Sequence, residues 1–146
     1  MKIHRMLLNK LYKTRSLNAN ADGSGFMAEI ELDPSHPLFK GHFPGNPILP
    51  GVCTVQIIKE LLEQSVQKSL RMTKAGNIKY LGFVNPVNMP LLTFQLQIKD
   101  GDSTSISCSA TVSSRGVSVC SFKGEFSPTP SGCGGGDPGG VSLPGD

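Results

Sequence analysis

The chain has 146 residues, four cysteines, no tryptophan and a formal net charge of +3, a length that suits one domain of ordinary size rather than two. It has no run of about 18 apolar residues, so no transmembrane helix and no membrane partner are expected, and MKIHRMLLNKLYKTR lacks an apolar stretch of signal-peptide length, which makes the cytoplasm the expected compartment. Cys53, Cys108, Cys120 and Cys133 form no CxxC pair, which argues against a zinc site and a disulfide framework; aromatics at 6% and the lack of a dense basic run argue against nucleic acid as a partner.

In chain order, residues 11–20 read as a first strand and Asp22–Gly25 as a turn. In the second strand, FMAEIEL, Phe26, Ala28, Ile30 and Leu32 fall on one face. Residues 33–51 hold five prolines and three glycines in 19 residues. Proline fixes φ and removes donors, so this segment is neither helix nor central strand. Yet it carries Leu38, Phe39, Phe43, Ile48 and Leu49, and a long apolar loop in a small domain usually has a function.

From Val52 to about Leu70 the pattern is helical. Val52, Val55, Ile58, Leu62 and Val66 form a stripe that Cys53, Ile57 and Leu61 widen, with Pro50 and Gly51 at the start. Lys59, Glu60, Glu63, Gln64 and Lys68 are assigned mostly to the other faces. Strands are expected at 77–83, 91–99, 103–113 and 117–126, with turns at KDGD (Lys99–Asp102) and SSRG (Ser113–Gly116). The fold class is α+β: one long helix packed on an antiparallel sheet. The last segment, residues 127–146, holds 7 of the 17 glycines and 4 of the 11 prolines. Too poor in apolar side chains to offset its ordering entropy, it is expected to be a disordered tail beyond a folded domain of residues 1–126. Because the tail carries two acids and no base, the domain has a charge of +5, a mild bias toward acidic partners.

The loop and helix start read GHFPGNPILPGVCTVQ, Gly41 to Gln56. This closely resembles the signature of the β-hydroxyacyl–acyl carrier protein dehydratases of the hot-dog fold, unbroken from Gly41 through Val52. The segment Ile78 to Ile98 also resembles that family's strand-proline-strand stretch, and the resemblance covers roughly residues 11–126. It implies a central helix wrapped by an antiparallel sheet, and a lyase of fatty-acid or related acyl-chain biosynthesis that removes water from a 3-hydroxyacyl thioester. It implies His42 as the base that removes the C2 proton. The backbone N–H groups of Gly51 and Val52, at the positive end of the helix dipole, would polarise the thioester carbonyl. Gly51 would leave room for the substrate. The family's acid position falls on Gln56, whose amide can hold a hydroxyl but cannot protonate it. No diffusible cofactor is required. The carrier would be acyl carrier protein or coenzyme A, and the site would lie between the subunits of a homodimer or higher homo-oligomer. The departure at Gln56 keeps a second reading open: a non-catalytic acyl-thioester or acyl-carrier binding subunit, possibly of a heteromeric dehydratase. A hot-dog thioesterase is a third, weakened by the same missing carboxylate.

Other residues divide between site and scaffold. Glu60, one turn beyond Gln56, is either a displaced acid or a solvated helix carboxylate paired with a lysine, the second being favoured. Phe43 and Phe39 either wall an acyl tunnel or pack under the loop. His36 is assigned to turning the loop, and Cys53, with no neighbouring base, to apolar filling. Tyr80 belongs to the core or the rim. Lys40, Lys59, Lys68, Arg71, Lys74 and Lys79 are either an ordinary surface or a basic rim for an acidic carrier. Three histidines without carboxylate spacing give no metal site.

Overall fold

The computed structural model describes residues 7–21, 23–39, 47–102 and 105–129, with the side chains of 100–102 not included. Six strands form one sheet in the order β1-β2-β4-β5-β6-β3, every neighbouring pair antiparallel. The strands are β1 (Tyr12–Ala19), β2 (Gly25–Leu32), β3 (Leu70–Tyr80), β4 (Leu91–Asp102), β5 (Ser105–Ser114) and β6 (Val117–Pro128); the helix α1 (Gly51–Val66) lies between β2 and β3. The expected architecture of one long helix and an antiparallel sheet is met.

Period-2 patterning sets the core. Phe26, Ala28, Ile30 and Leu32 of β2 are all buried, as are Leu92, Phe94 and Leu96 of β4. They join Cys108, Ala110 and Val112 of β5, Phe122 and Phe126 of β6, and Ile57, Ile58, Leu61 and Leu62 of α1 in one cluster. The β5–β6 hairpin closes through Arg115 (φ 51) and Gly116 (φ 81), the positive φ pair that a two-residue turn requires.

Four boundaries differ from the sequence expectation. The helix stops at Val66 because Gln67 is left-handed and its N–H caps the Glu63 carbonyl. Leu70 continues the apolar spacing of the helix, but it is the buried first residue of β3. That strand starts well before residue 77 because Arg71 to Asn77 are exposed on both faces of an edge strand and carry no alternation. The expected turn Lys99–Asp102 lies within β4, where Asp102 pairs with Ser105.

The fourth is the tail boundary. β6 runs past Phe126: Ser127 pairs with Arg71, and Pro128 with Leu70. The Thr129 N–H and hydroxyl both donate to the Ser69 carbonyl, at 2.9 and 3.2 Å. The rest of the expected tail lies outside the described residues. A chain ended after Phe126 should therefore melt below one ended after Thr129, by roughly 5 °C for the few hydrogen bonds lost. Scanning calorimetry of the two truncations checks this, and equal melting temperatures would contradict it.

Candidate functional site

The site is built around the start of α1. Pro50 is the N-cap, extended (φ −62, ψ 142), and offers no side-chain cap. Its carbonyl takes the N–H groups of Cys53 and Thr54 at 3.0 and 3.4 Å. The Gly51 and Val52 N–H groups donate to no described backbone carbonyl, so two of the helix's orphan donors remain available. The incoming loop is pinned by Leu49 N–H donating to the Val84 carbonyl at 2.8 Å.

The closest packing at Gly51 comes from within the chain. The Tyr80 ring lies against it, so that a Cβ at position 51 would sit 2.5 Å from a ring carbon. A larger residue there would displace the Tyr80 ring, a constraint separate from the substrate approach expected from the sequence. Tyr80 is 54% exposed, at the rim. Burial first, and then the charge of a Cys120 thiolate, push its phenol up from its usual value, so it is a proton-bearing donor across neutral pH. Val52 is 75% exposed. The expected stripe put it on the core side, but the observed stripe is Thr54, Ile57, Ile58, Leu61 and Leu62, and Val52 lies about 150° round the helix from its centre. Leu81, Phe83 and Val87 are also exposed, making the segment after β3 apolar on its surface.

Gln56 is half-buried, and its Nε2 donates to Glu60 Oε2 at 2.8 Å. Glu60 is fully buried, which corrects the expectation of a solvated carboxylate paired with lysine. It also accepts the Leu7 N–H at 3.1 Å and the Tyr12 hydroxyl at 3.0 Å. Glu63 is likewise fully buried, accepting from Lys59 Nζ at 3.1 Å and the Leu70 N–H at 2.8 Å. At Glu60 and Glu63 the face of α1 opposite the apolar stripe is therefore covered, whereas Val52 at its start is exposed. Helical periodicity marks that face as polar, but the donors that meet its carboxylates include the backbone N–H groups of Leu7 and Leu70, outside the helix. No spacing rule reports that arrangement.

His42 and Phe43 lie outside the described residues. Phe39 is buried in the core cluster. His36 turns the loop as expected: its Nδ1 accepts the Leu38 N–H at 3.0 Å and its carbonyl the Phe39 N–H at 3.0 Å. Burial, and secondarily the Glu60 charge, push the Cys53 thiol up, while burial takes Cys108 up to about 12. Both should react with a neutral-pH thiol reagent far more slowly in the native protein than after unfolding. Rapid native labelling of Cys53, followed by mass spectrometry, would mark it as a nucleophile instead. Among the described residues no group of His, Cys, Asp and Glu is arranged to hold a metal ion, and no helix is long and apolar enough to cross a membrane.

Among the described residues, one α-helix on a six-stranded antiparallel sheet defines a hot-dog domain. The ApeI-like family model, described as ApeI dehydratase, matches residues 18–123; the chain belongs to that family. It is also similar to the 3-hydroxyacyl-acyl-carrier-protein dehydratase FabZ of Oenococcus oeni, 31% identical over 85 residues that cover 58% of this chain and 55% of that protein. The chain spans between 32% and 66% of the length of four such dehydratases. Among solved structures, the dehydratase heterocomplex ApeI:P of Xenorhabdus doucetiae superposes with a TM-score of 0.59 at 19% identity, covering 79% of this chain and 96% of that one. A hypothetical thioesterase with coenzyme A from Streptococcus pneumoniae gives a TM-score of 0.56 at 15% identity, covering 81% and 85%. At these identities the structures establish the fold.

Proposed function

We propose that this chain is a 3-hydroxyacyl thioester dehydratase that yields the trans-2-enoyl thioester, acting on acyl groups carried by acyl carrier protein or coenzyme A in the cytoplasm. The observation that carries the reading is the pair of N–H groups on Gly51 and Val52, which donate to no described backbone carbonyl, directly after the Gly41–Pro50 motif of the family. A thioester oxygen placed there would have its developing negative charge met by two donors and the helix dipole. His42 would remove the C2 proton. The Gln56 amide would hold the C3 hydroxyl.

A dimer completes the site in this reading. β3 leaves one sheet edge open, and an unpaired edge is a template for a second strand. The exposed Leu81, Phe83 and Val87 give a second subunit or an acyl chain something to cover. His42 of one subunit would then face Gln56 of the other across an apolar tunnel. The basic side chains on and around β3 suit an acidic carrier.

The amide at position 56 favours a second reading, in which a partner chain supplies the acid and this chain supplies His42, or in which this chain only binds the thioester. The deciding experiment is a hydration and dehydration assay with trans-2-enoyl and 3-hydroxyacyl thioesters on the purified chain, beside sedimentation of the same sample. Slow turnover by a dimer supports the first reading. Thioester binding without turnover supports the second, and a stable monomer at micromolar concentration removes the shared site.

A further inference from the structure

The acid position of this site is held by a buried carboxylate one turn deeper in the helix. Glu60 is fully buried and takes three hydrogen bonds, one on Oε1 from the Tyr12 hydroxyl and two on Oε2 from the Leu7 N–H and Gln56 Nε2. The Leu7 N–H can only donate, so Oε2 is an acceptor, and the Gln56 group that meets it is the NH2 end of the amide. That fixes the amide's orientation, which the near-identical shapes of its oxygen and nitrogen ends would otherwise leave open. Its Oε1 is left on the side away from Glu60, where it accepts from no described residue.

We infer that Glu60 is a positioning residue for Gln56, locking the amide so that this position presents a carbonyl acceptor to the substrate. The inference rests on the proposed dehydratase reading and adds a direction to it. A carbonyl at this place accepts the proton of a C3 hydroxyl, or of the water that becomes one. It orients the oxygen without protonating it. An amide free to turn would also present its NH2, and a donor there would hold the C3 oxygen by a lone pair instead of by its proton.

The test uses Glu60→Met, which removes the acceptor, and Glu60→Gln, whose own carbonyl can serve both Leu7 and Gln56. In the wild type, one Gln56 side-chain NH2 proton should be shifted downfield and protected from exchange in 1H–15N spectra, assigned by its loss in Gln56→Ala. Glu60→Gln should keep that signal, and Glu60→Met should lose it. With a 3-hydroxyacyl thioester, kcat should fall roughly 10- to 100-fold in Glu60→Met through misplacement of the amide, while KM stays within about twofold and Glu60→Gln restores most of the rate. Should Glu60→Met fail to fold, Glu60→Asp, which withdraws the carboxylate by one methylene, should weaken both the signal and kcat. The inference is overturned if the wild type lacks the signal, if the signal survives Glu60→Met or is undiminished in Glu60→Asp, or if kcat does not move when it is lost. A signal that behaves as described in a protein without any turnover would leave Glu60 as the anchor of Gln56 and sink the dehydratase reading alone.

Discussion

Turnover of a 3-hydroxyacyl thioester should fall by about 10²- to 10⁴-fold or more in His42→Ala, with thioester binding retained. The C2 proton is weakly acidic even beside a thioester carbonyl, and its removal needs a base in contact with it. An unperturbed imidazole is neutral at physiological pH and can serve. In the proposed site the Gly51 and Val52 amides would address the carbonyl oxygen and cannot take up a proton, while the Tyr80 phenol keeps its proton across neutral pH. Single-turnover rates and a fluorescence binding isotherm for the same thioester separate the two effects. A variant that retained wild-type turnover would move the base away from the motif.

How much of this was legible in the chain depends on what kind of interaction carries each feature. Alternation in β2 is a local property, and Phe26, Ala28, Ile30 and Leu32 are all buried as that alternation requires. The hairpin at Arg115 and Gly116 is likewise announced by its turn residues. The start of α1 follows from Pro50 and Gly51. Features that depend on what covers a surface were not legible. Arg71 to Asn77 form a strand by pairing with β6, although nothing in their own pattern is strand-like. Glu60 and Glu63 sit opposite the apolar stripe, where a helix normally meets water. They are buried because the backbone at Leu7 and Leu70 brings donors to them. That residue 56 is a glutamine could be read directly, whereas its tether to Glu60 is a three-dimensional fact.

That tether changes what should happen when a carboxyl group is restored at position 56. Gln56→Glu is expected to raise dehydratase turnover of a homomeric sample, by up to about 10²- to 10⁴-fold, the usual worth of general acid–base help. The new carboxyl would occupy the place of an amide whose Nε2 lies 2.8 Å from Glu60 Oε2. Two carboxyl groups so close cannot both ionise easily, and the second proton leaves the pair only at a raised pH. The pair therefore keeps an acid in the site toward neutrality, and the gain should be largest below that upper ionisation and fade as the pH rises through it. Removing the neighbouring charge in Gln56→Glu/Glu60→Gln should move the falling limb to lower pH. Stability should follow the same sign: a folded-state ionisation raised above its unfolded value favours the folded protein at low pH, so the single variant should melt lower at pH 8 than at pH 5 relative to the wild type. Rate–pH profiles and melting curves of the two variants read both effects. A Gln56→Glu protein that folds, dimerises and gains no activity at any pH would assign the acid to another chain, and with it the heteromeric reading of this subunit.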